Sequence, residues 1–133
     1  YQVFDCSDGY IIVAVGNDAQ FARFCDLLGC PDLAANPDYA TNPARVSNRK
    51  QLDEILTDRS RTFSKADLLA TCEAHGVPAG PINDLAEVFD DPQVQARGMR
   101  VDLDGVPGVR SPFRFSDAEL SLNRPSPRLN EDG

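Results

Sequence analysis

Several patterns that carry chemistry in other proteins are missing from this sequence. It has no CxxC pair, no Walker loop, no GxGxxG and no EF-hand loop. Long apolar runs are missing too. The longest candidate, Tyr10 to Val15, is strand-sized, far short of the roughly 20 residues a membrane-spanning helix needs. Nothing resembles a signal peptide. Positive charge is scarce: 13 Lys and Arg stand against 21 Asp and Glu, for a formal charge of −8. A surface this acidic repels phosphate backbones and anionic lipid, so neither nucleic acid nor a membrane is an expected partner. The four cysteines, Cys6, Cys25, Cys30 and Cys72, lack the paired spacing of zinc ligands, and His75 is the single histidine. No metal site is expected. A chain of this size builds a core without disulfide staples, so the thiols are expected reduced and the location cytoplasmic.

What is present reads as one globular domain. The chain has 133 residues, 41% of them hydrophobic and 26% charged, an ordinary globular balance. It starts at Tyr1 rather than Met and opens directly into apparent strand. A fragment of a longer chain, or a processed product, is therefore expected.

Tyr1 to Gly16 reads as a β-hairpin, turning at Ser7-Asp8-Gly9 with Gly9 free to take positive φ. Tyr10 to Val15 is nearly all apolar and suits a strand covered on both faces. A helix follows, capped by Asn17 with Gln20 completing a capping box. Phe21, Phe24, Cys25 and Leu28 make its apolar stripe, and Gly29 ends it. Residues 30–42 read as irregular around Asn36-Pro37. Asn42-Pro43 reads as an N-cap with Pro at the first helical position, opening a helix that continues through Leu52, Ile55 and Leu56. Another starts at Ser64, carries Leu68, Leu69 and Cys72 inward, and ends at Gly76.

Val77 to Ile82 reads as a rigid extended connector. Asp84 to Phe89 and Pro92 to Arg97 read as two short helices. Met99 to Asp104 alternates as a half-exposed strand, and Val109 to Phe115, kinked at Pro112, is its expected edge partner. From Ser116 polar residues dominate, and 123–133 reads as linker or tail. No internal repeat occurs. The order predicts an α+β fold: a small antiparallel sheet from the N-terminal hairpin and the C-terminal strands, packed with about three to five helices.

Candidate chemistry is sparse. Cys72 and His75 lie three apart, a spacing open to thiol catalysis, but a core cysteine and a helix C-terminal cation explain them as well. Asn17 and Asp18 sit at a strand-to-helix turn, where ligand contacts collect, and plain capping explains them too. Arg59, Arg61 and Lys65 read as a small basic edge or the solvated face of two helices.

The order of short segments carries more information. Tyr1-Gln-Val-Phe, Asp8-Gly9-Tyr10-Ile11 and Ala14 to Phe21 come first. Leu27-Leu28-Gly29, Pro37 to Asn42, Arg45-Val46 and Asn48-Arg49 follow. Then come Gly76 to Asn83, Glu87-Val88-Phe89, Asp91 to Val94, Ala96 to Met99 and Ser111 to Ser116. In this order and spacing the sequence resembles the small domain of family III CoA-transferases, which include formyl-CoA, carnitine-CoA and bile-acid-CoA transferases and 2-methylacyl-CoA racemase. Leu129-Asn130-Glu131-Asp132 resembles an altered form of the family's Leu-Gly-Glu-His/Asp segment.

The resemblance implies a part of a larger enzyme. Residues 1–116 correspond to the small domain, and 117–133 to a linker or tail returning to a large domain outside this sequence. In the family the large domain binds CoA and carries the nucleophilic aspartate, and two subunits interlock. The parent would move CoA between carboxylic acids through an aspartyl mixed anhydride. Coenzyme A enters as a substrate, and no tightly bound cofactor is implied. The implied partners are the large domain, a homodimer partner, and acyl-CoA and carboxylate substrates. No catalytic nucleophile is implied within these residues, and the piece alone is expected to be inactive. The racemase branch places a catalytic acid at the start of the first helix. Asp18 matches that position with one residue less in the preceding turn, and Asn17, Asp18 and Gln20 are the residues implied to line the active-site mouth. Two alternatives stand beside this reading: the racemase branch itself, and a stand-alone, non-catalytic binding module. A domain of a larger enzyme is expected to expose an apolar patch, and a stand-alone module is not.

Overall fold

The computed structural model describes residues 1–130. Its contacts divide into two compact units, Tyr1–Ile82 and Asn83–Gly133.

In the first unit, β1 (Gln2–Cys6) and β2 (Gly9–Val13) form the hairpin, with Cys6 opposite Gly9. The two-residue loop is closed by Gly9 at φ 150°, in the region that favours glycine. β3 (Ala79–Ile82) pairs antiparallel along the other side of β2, giving the order β1-β2-β3. The Pro78-Ala79-Gly80-Pro81 stretch thus runs along a sheet edge, where a proline lacking an N–H is tolerated. Between β2 and β3 run α1 (Asp18–Leu27), α2 (Asp32–Ala35), α3 (Asn42–Ser47), α4 (Arg49–Ser60) and α5 (Lys65–Ala74).

The core lies between one face of this sheet and the helices. Phe4, Ile11 and Val13 from the strands meet Phe21, Phe24 and Cys25 of α1 and its C-cap Leu28, Leu52 and Leu56 of α4, and Leu68 and Cys72 of α5. The expected stripe of α1 is buried throughout. The Phe4 and Phe24 rings lie 5.4 Å apart, tilted by 48°, within the favourable range for aromatic pairs.

The opposite face of the sheet is bare. Val3, Tyr10, Ile12 and Ile82 keep 39–52% of their surface exposed. The expected strand covered on both faces is covered on one only, because all the helices that pack on this sheet lie on its inner side.

The second unit holds α6 (Leu85–Asp90), α7 (Pro92–Ala96) and a two-stranded sheet of β4 (Arg100–Leu103) and β5 (Val106–Val109). Asp84 and Glu87 form a reciprocal capping box at α6, and Asp91 caps α7. Asp104 and Gly105 both take positive φ, 54° and 80°, the signature of a two-residue hairpin turn. Pairing therefore resumes at once, with Leu103 opposite Val106. The partner strand is 106–109, not the expected 109–115. No described residue of this unit is fully buried. Among described residues no helix or strand follows Val109, and Glu131 and Asp132 lie outside the described residues.

The α+β class stands. The strands divide into two sheets, and the N-terminal hairpin takes β3 as its third strand, not the C-terminal pair. Seven helices occur among the described residues, three of them ten residues or longer.

Candidate functional site

The site builds up from the start of α1. β2 ends at Val13, and Ala14 still donates its N–H to the Pro78 carbonyl at 2.8 Å. The chain then leaves the sheet at Gly16. Asn17 caps α1, its Oδ1 accepting the Gln20 N–H at 2.9 Å. The Gln20 side chain reaches back one residue further than in a standard capping box, accepting the Gly16 N–H at 2.7 Å. One of the helix's first free donors, the Gln20 N–H, and the lead-in at Gly16 are thereby fixed.

Asp18 follows as the first helical residue, where an anion is favoured by the helix dipole. Its Oδ1 accepts a 2.6 Å charged hydrogen bond from Arg45 Nη2. Arg45 comes from α3, 27 positions on, and is itself buried. Its Nη1 donates to the Tyr39 carbonyl at 2.9 Å, and its guanidinium lies over the Phe21 ring, 4.4 Å from the centroid. One side chain thus joins the α1 N-terminus, the α1 stripe and the loop before α3. Asp18 keeps 58% of its side-chain surface exposed, so the carboxylate is held through Oδ1 and still open to solvent. Asn17 and Asp18 are both exposed and Gln20 is half-buried.

A shallow apolar cleft opens on the other side of Arg45. Tyr1, Val15, Phe21, Val46, Arg49 and Leu52 contribute to its walls. Arg49 on its rim donates to Gln2 Oε1 and to Asp53 Oδ2, the latter at 3.3 Å.

Arg45 is the residue that sequence reasoning missed. In Asn42–Ser47 the hydrophobic pattern selects Val46 as the inward side chain. The structure reverses this: Val46 is 66% exposed and Arg45 is 8% exposed. The reason is the cap. Thr41, not Asn42, caps α3 by accepting the Ala44 N–H at 3.4 Å, which sets the phase of this short helix. The helix also does not run on into the next. Asn48 interrupts it at φ −106°, ψ 20°, and its Nδ2 donates to the Asp38 and Ala44 carbonyls.

The Cys72–His75 arrangement is not a thiol site. Cys72 is wholly buried, and burial pushes its thiol up to about 11. His75 Nδ1 lies instead 2.8 Å from the Thr71 carbonyl oxygen at the exposed end of α5. Arg59 and Arg61 are on the surface as expected, but Lys65 is buried. Its N–H is held by Asp8 Oδ1 at 2.7 Å and its Nζ donates to the Ile82 carbonyl at 3.0 Å. Lys65 therefore ties the hairpin turn and the end of β3 to α5. Among the described residues no cluster of three or more His, Cys, Asp or Glu side chains is placed to hold a metal, and no helix is long and apolar enough to cross a membrane.

Burial raises the Cys25 thiol to about 12, with the Cys30 thiol hydrogen-bonded to it as a further cause. A thiol raised in the fold keeps its proton where the unfolded chain loses it, so above an ordinary value near 9 the folded state binds more protons. The stabilisation is intact below about pH 9 and declines as pH rises through about 11 to 12. Urea titrations at pH 8 and pH 10.5 are expected to show lower stability at the higher pH. Native thiol labelling at pH 8 is expected to leave Cys25 and Cys72 unmodified while both react in urea.

The whole chain, residues 1–133, matches the model of CoA-transferase family III. The chain belongs to this family. It is 48% identical to a succinate–glutarate CoA-transferase of Agrobacterium fabrum, over 98% of this chain and 34% of that protein. It is 40% identical to the human succinyl-CoA:glutarate CoA-transferase, over 98% of this chain and 31% of that protein. Among solved structures, a CAIB/BAIF family protein from Brucella suis superposes with a TM-score of 0.90 at 53% identity, covering all of this chain and 35% of that one. The chain thus spans about a third of the length of the family III proteins it matches.

Proposed function

We propose that residues 1–116 are the small domain, and 117–133 the returning tail, of a family III enzyme that transfers CoA between short dicarboxylic acids. The observation that carries this reading is 48% identity, across nearly the whole chain, to a transferase named for succinate and glutarate. The 40% identity to a second protein of the same named activity supports it.

In the proposed reaction a carboxylate nucleophile outside these residues attacks the acyl-CoA carbonyl. The C–S bond breaks, CoA leaves as a thiolate, and a mixed anhydride forms. CoA thiolate then attacks the enzyme's side of the anhydride and releases the donor acid. The acceptor carboxylate displaces CoA from the resulting enzyme thioester, and returning thiolate cleaves the second anhydride to give the new acyl-CoA. Dividing one difficult exchange into easier steps is the general advantage of covalent catalysis.

Within this chain, Asn17, Asp18 and Gln20 line the mouth of that active site. Arg45 acts as a positioning residue, holding Asp18 through Oδ1 with the carboxylate still open to solvent. The small domain supplies no nucleophile and closes the site. The bare sheet face and the lack of a fully buried side chain among the described residues of the second unit support a domain made to be covered by more protein, against a self-sufficient module.

The reading is tested by incubating the full-length protein with succinyl-CoA and glutarate and following glutaryl-CoA by mass spectrometry. Net transfer is expected. Hydrolysis of succinyl-CoA without glutaryl-CoA, or racemisation of a 2-methylacyl-CoA without transfer, would sink it.

A further inference from the structure

The outer face of the three-stranded sheet has two cross-strand rows. One runs Val3, Ile12, Gly80 and the other Asp5, Tyr10, Ile82. Four of these six positions carry large apolar side chains, each 39–52% exposed. The only charge among them, Asp5, is engaged by Arg61 at 2.6 Å. Gly80 keeps its row low: a Cβ there would meet Ile12 Cγ2 at 3.8 Å. On a chain with a net charge of −8, a whole sheet face free of unpaired charge is out of character with solvent. A strand apolar on both faces belongs to a sheet covered on both sides, and here the inner face of β2 is fully packed while the outer face is not.

About two thirds of the length of the matched relatives lies outside the span of this chain. We propose that the Val3–Tyr10–Ile12–Ile82 face is a buried interface in the full-length protein, covered by an apolar surface from outside these 133 residues. This rests on the reading of the chain as one domain of a longer family III enzyme. It adds which face of the domain meets the remainder. The occupant is apolar and uncharged at its centre, with a basic or neutral rim to suit the acidic domain around it.

The test uses the full-length protein with Ile12→Cys, Val3→Cys or, as an exposed reference on α4, Glu54→Cys. Maleimide labelling of each site is followed by peptide mass spectrometry under native conditions. Positions 12 and 3 are expected to react at least about 100-fold more slowly than position 54, and all three alike in urea. A photo-crosslinking p-benzoylphenylalanine at position 10 is expected to join peptides from outside residues 1–133. Labelling of Ile12→Cys and Val3→Cys at the rate of Glu54→Cys would overturn the proposal. So would crosslinks that end on the same sheet face of another copy, or on residues 83–130. Assaying CoA transfer on the same preparations separates the two inferences. Protection without transfer overturns the functional reading alone, and transfer with free labelling overturns the interface alone.

Discussion

Arg45→Ala is expected to lower the stability of the chain by about 2–4 kcal/mol. Three contacts are lost together. The Tyr39 carbonyl loses a charged donor at 2.9 Å, and hydrogen bonds to charged groups contribute about 1.5–3 kcal/mol. The Phe21 ring loses the cation over its face, about 1–2 kcal/mol where the cation is desolvated. The Asp18 pair contributes less than a fully buried one, because Asp18 is 58% exposed and rehydrates when left alone. Arg45→Lys keeps the charge but not the fork and is expected to recover only part of the loss. Urea unfolding of the three proteins checks the order wild type, Lys, Ala. An Arg45→Ala midpoint equal to wild type would show that the guanidinium ties nothing together.

The same pair separates structure from function. Asp18→Asn keeps an oxygen for Arg45 and is expected to cost less than about 1 kcal/mol at this half-exposed position. If Asp18 lines the active-site mouth, the full-length Asp18→Asn enzyme nevertheless transfers CoA about 100-fold more slowly, the scale of a mispositioned reacting group. A role in capping alone predicts unchanged transfer. Measuring kcat and KM beside the melting temperature distinguishes the two.

Phe24→Ala is the second large effect, expected at about 3–5 kcal/mol. Phe24 is 1% exposed and its ring meets Phe4 across the sheet–helix boundary. Its removal leaves a cavity where α1 meets β1. For a chain of this size the loss corresponds to a fall in melting temperature of roughly 10–20 °C. Phe24→Leu fills part of the space and is expected to cost less than half as much. An exposed aromatic such as Phe113, which is 69% exposed, is expected to tolerate alanine within about 0.5 kcal/mol. A Phe24→Ala loss no greater than that of Phe113→Ala would contradict the packing described here.

Much of the fold was legible because local signals and packing agreed. The turn at Ser7-Asp8-Gly9, the Asn17 cap and the stripe Phe21, Phe24, Cys25, Leu28 all obey short-range rules, and the structure keeps each of them. The extended segment before Ile82 was legible as extended, but its pairing with β2 was not. A proline-rich stretch looks the same as a free connector and as an edge strand, and only the 66-residue separation between Val13 and its partner Ala79 decides. The C-terminal hairpin was displaced because Asp104-Gly105 forms the tightest possible turn, so the partner starts at Val106. Asp18 was legible as a candidate from its place at a strand-to-helix turn. Arg45 was not, because a buried arginine breaks the hydrophobic pattern by which buried residues are found. Its partners are a backbone carbonyl, an aromatic face and a carboxylate far away in sequence, none of which leaves a periodic trace.

The outer sheet face taught the opposite lesson. The apolar run Tyr10 to Val15 predicted cover on both sides, and the described residues provide it on one. A sequence composed to be buried, standing exposed, points to protein beyond these residues.

As one domain of a larger CoA-transferase, this chain is expected to hold no complete active site. The most direct measurement compares two proteins side by side, the isolated 133-residue chain and the full-length protein, for CoA transfer from succinyl-CoA to glutarate. Turnover is expected from the full-length protein and none above background from the isolated chain at equal molar concentration. Transfer by the isolated chain at a rate comparable to the full-length protein would contradict it.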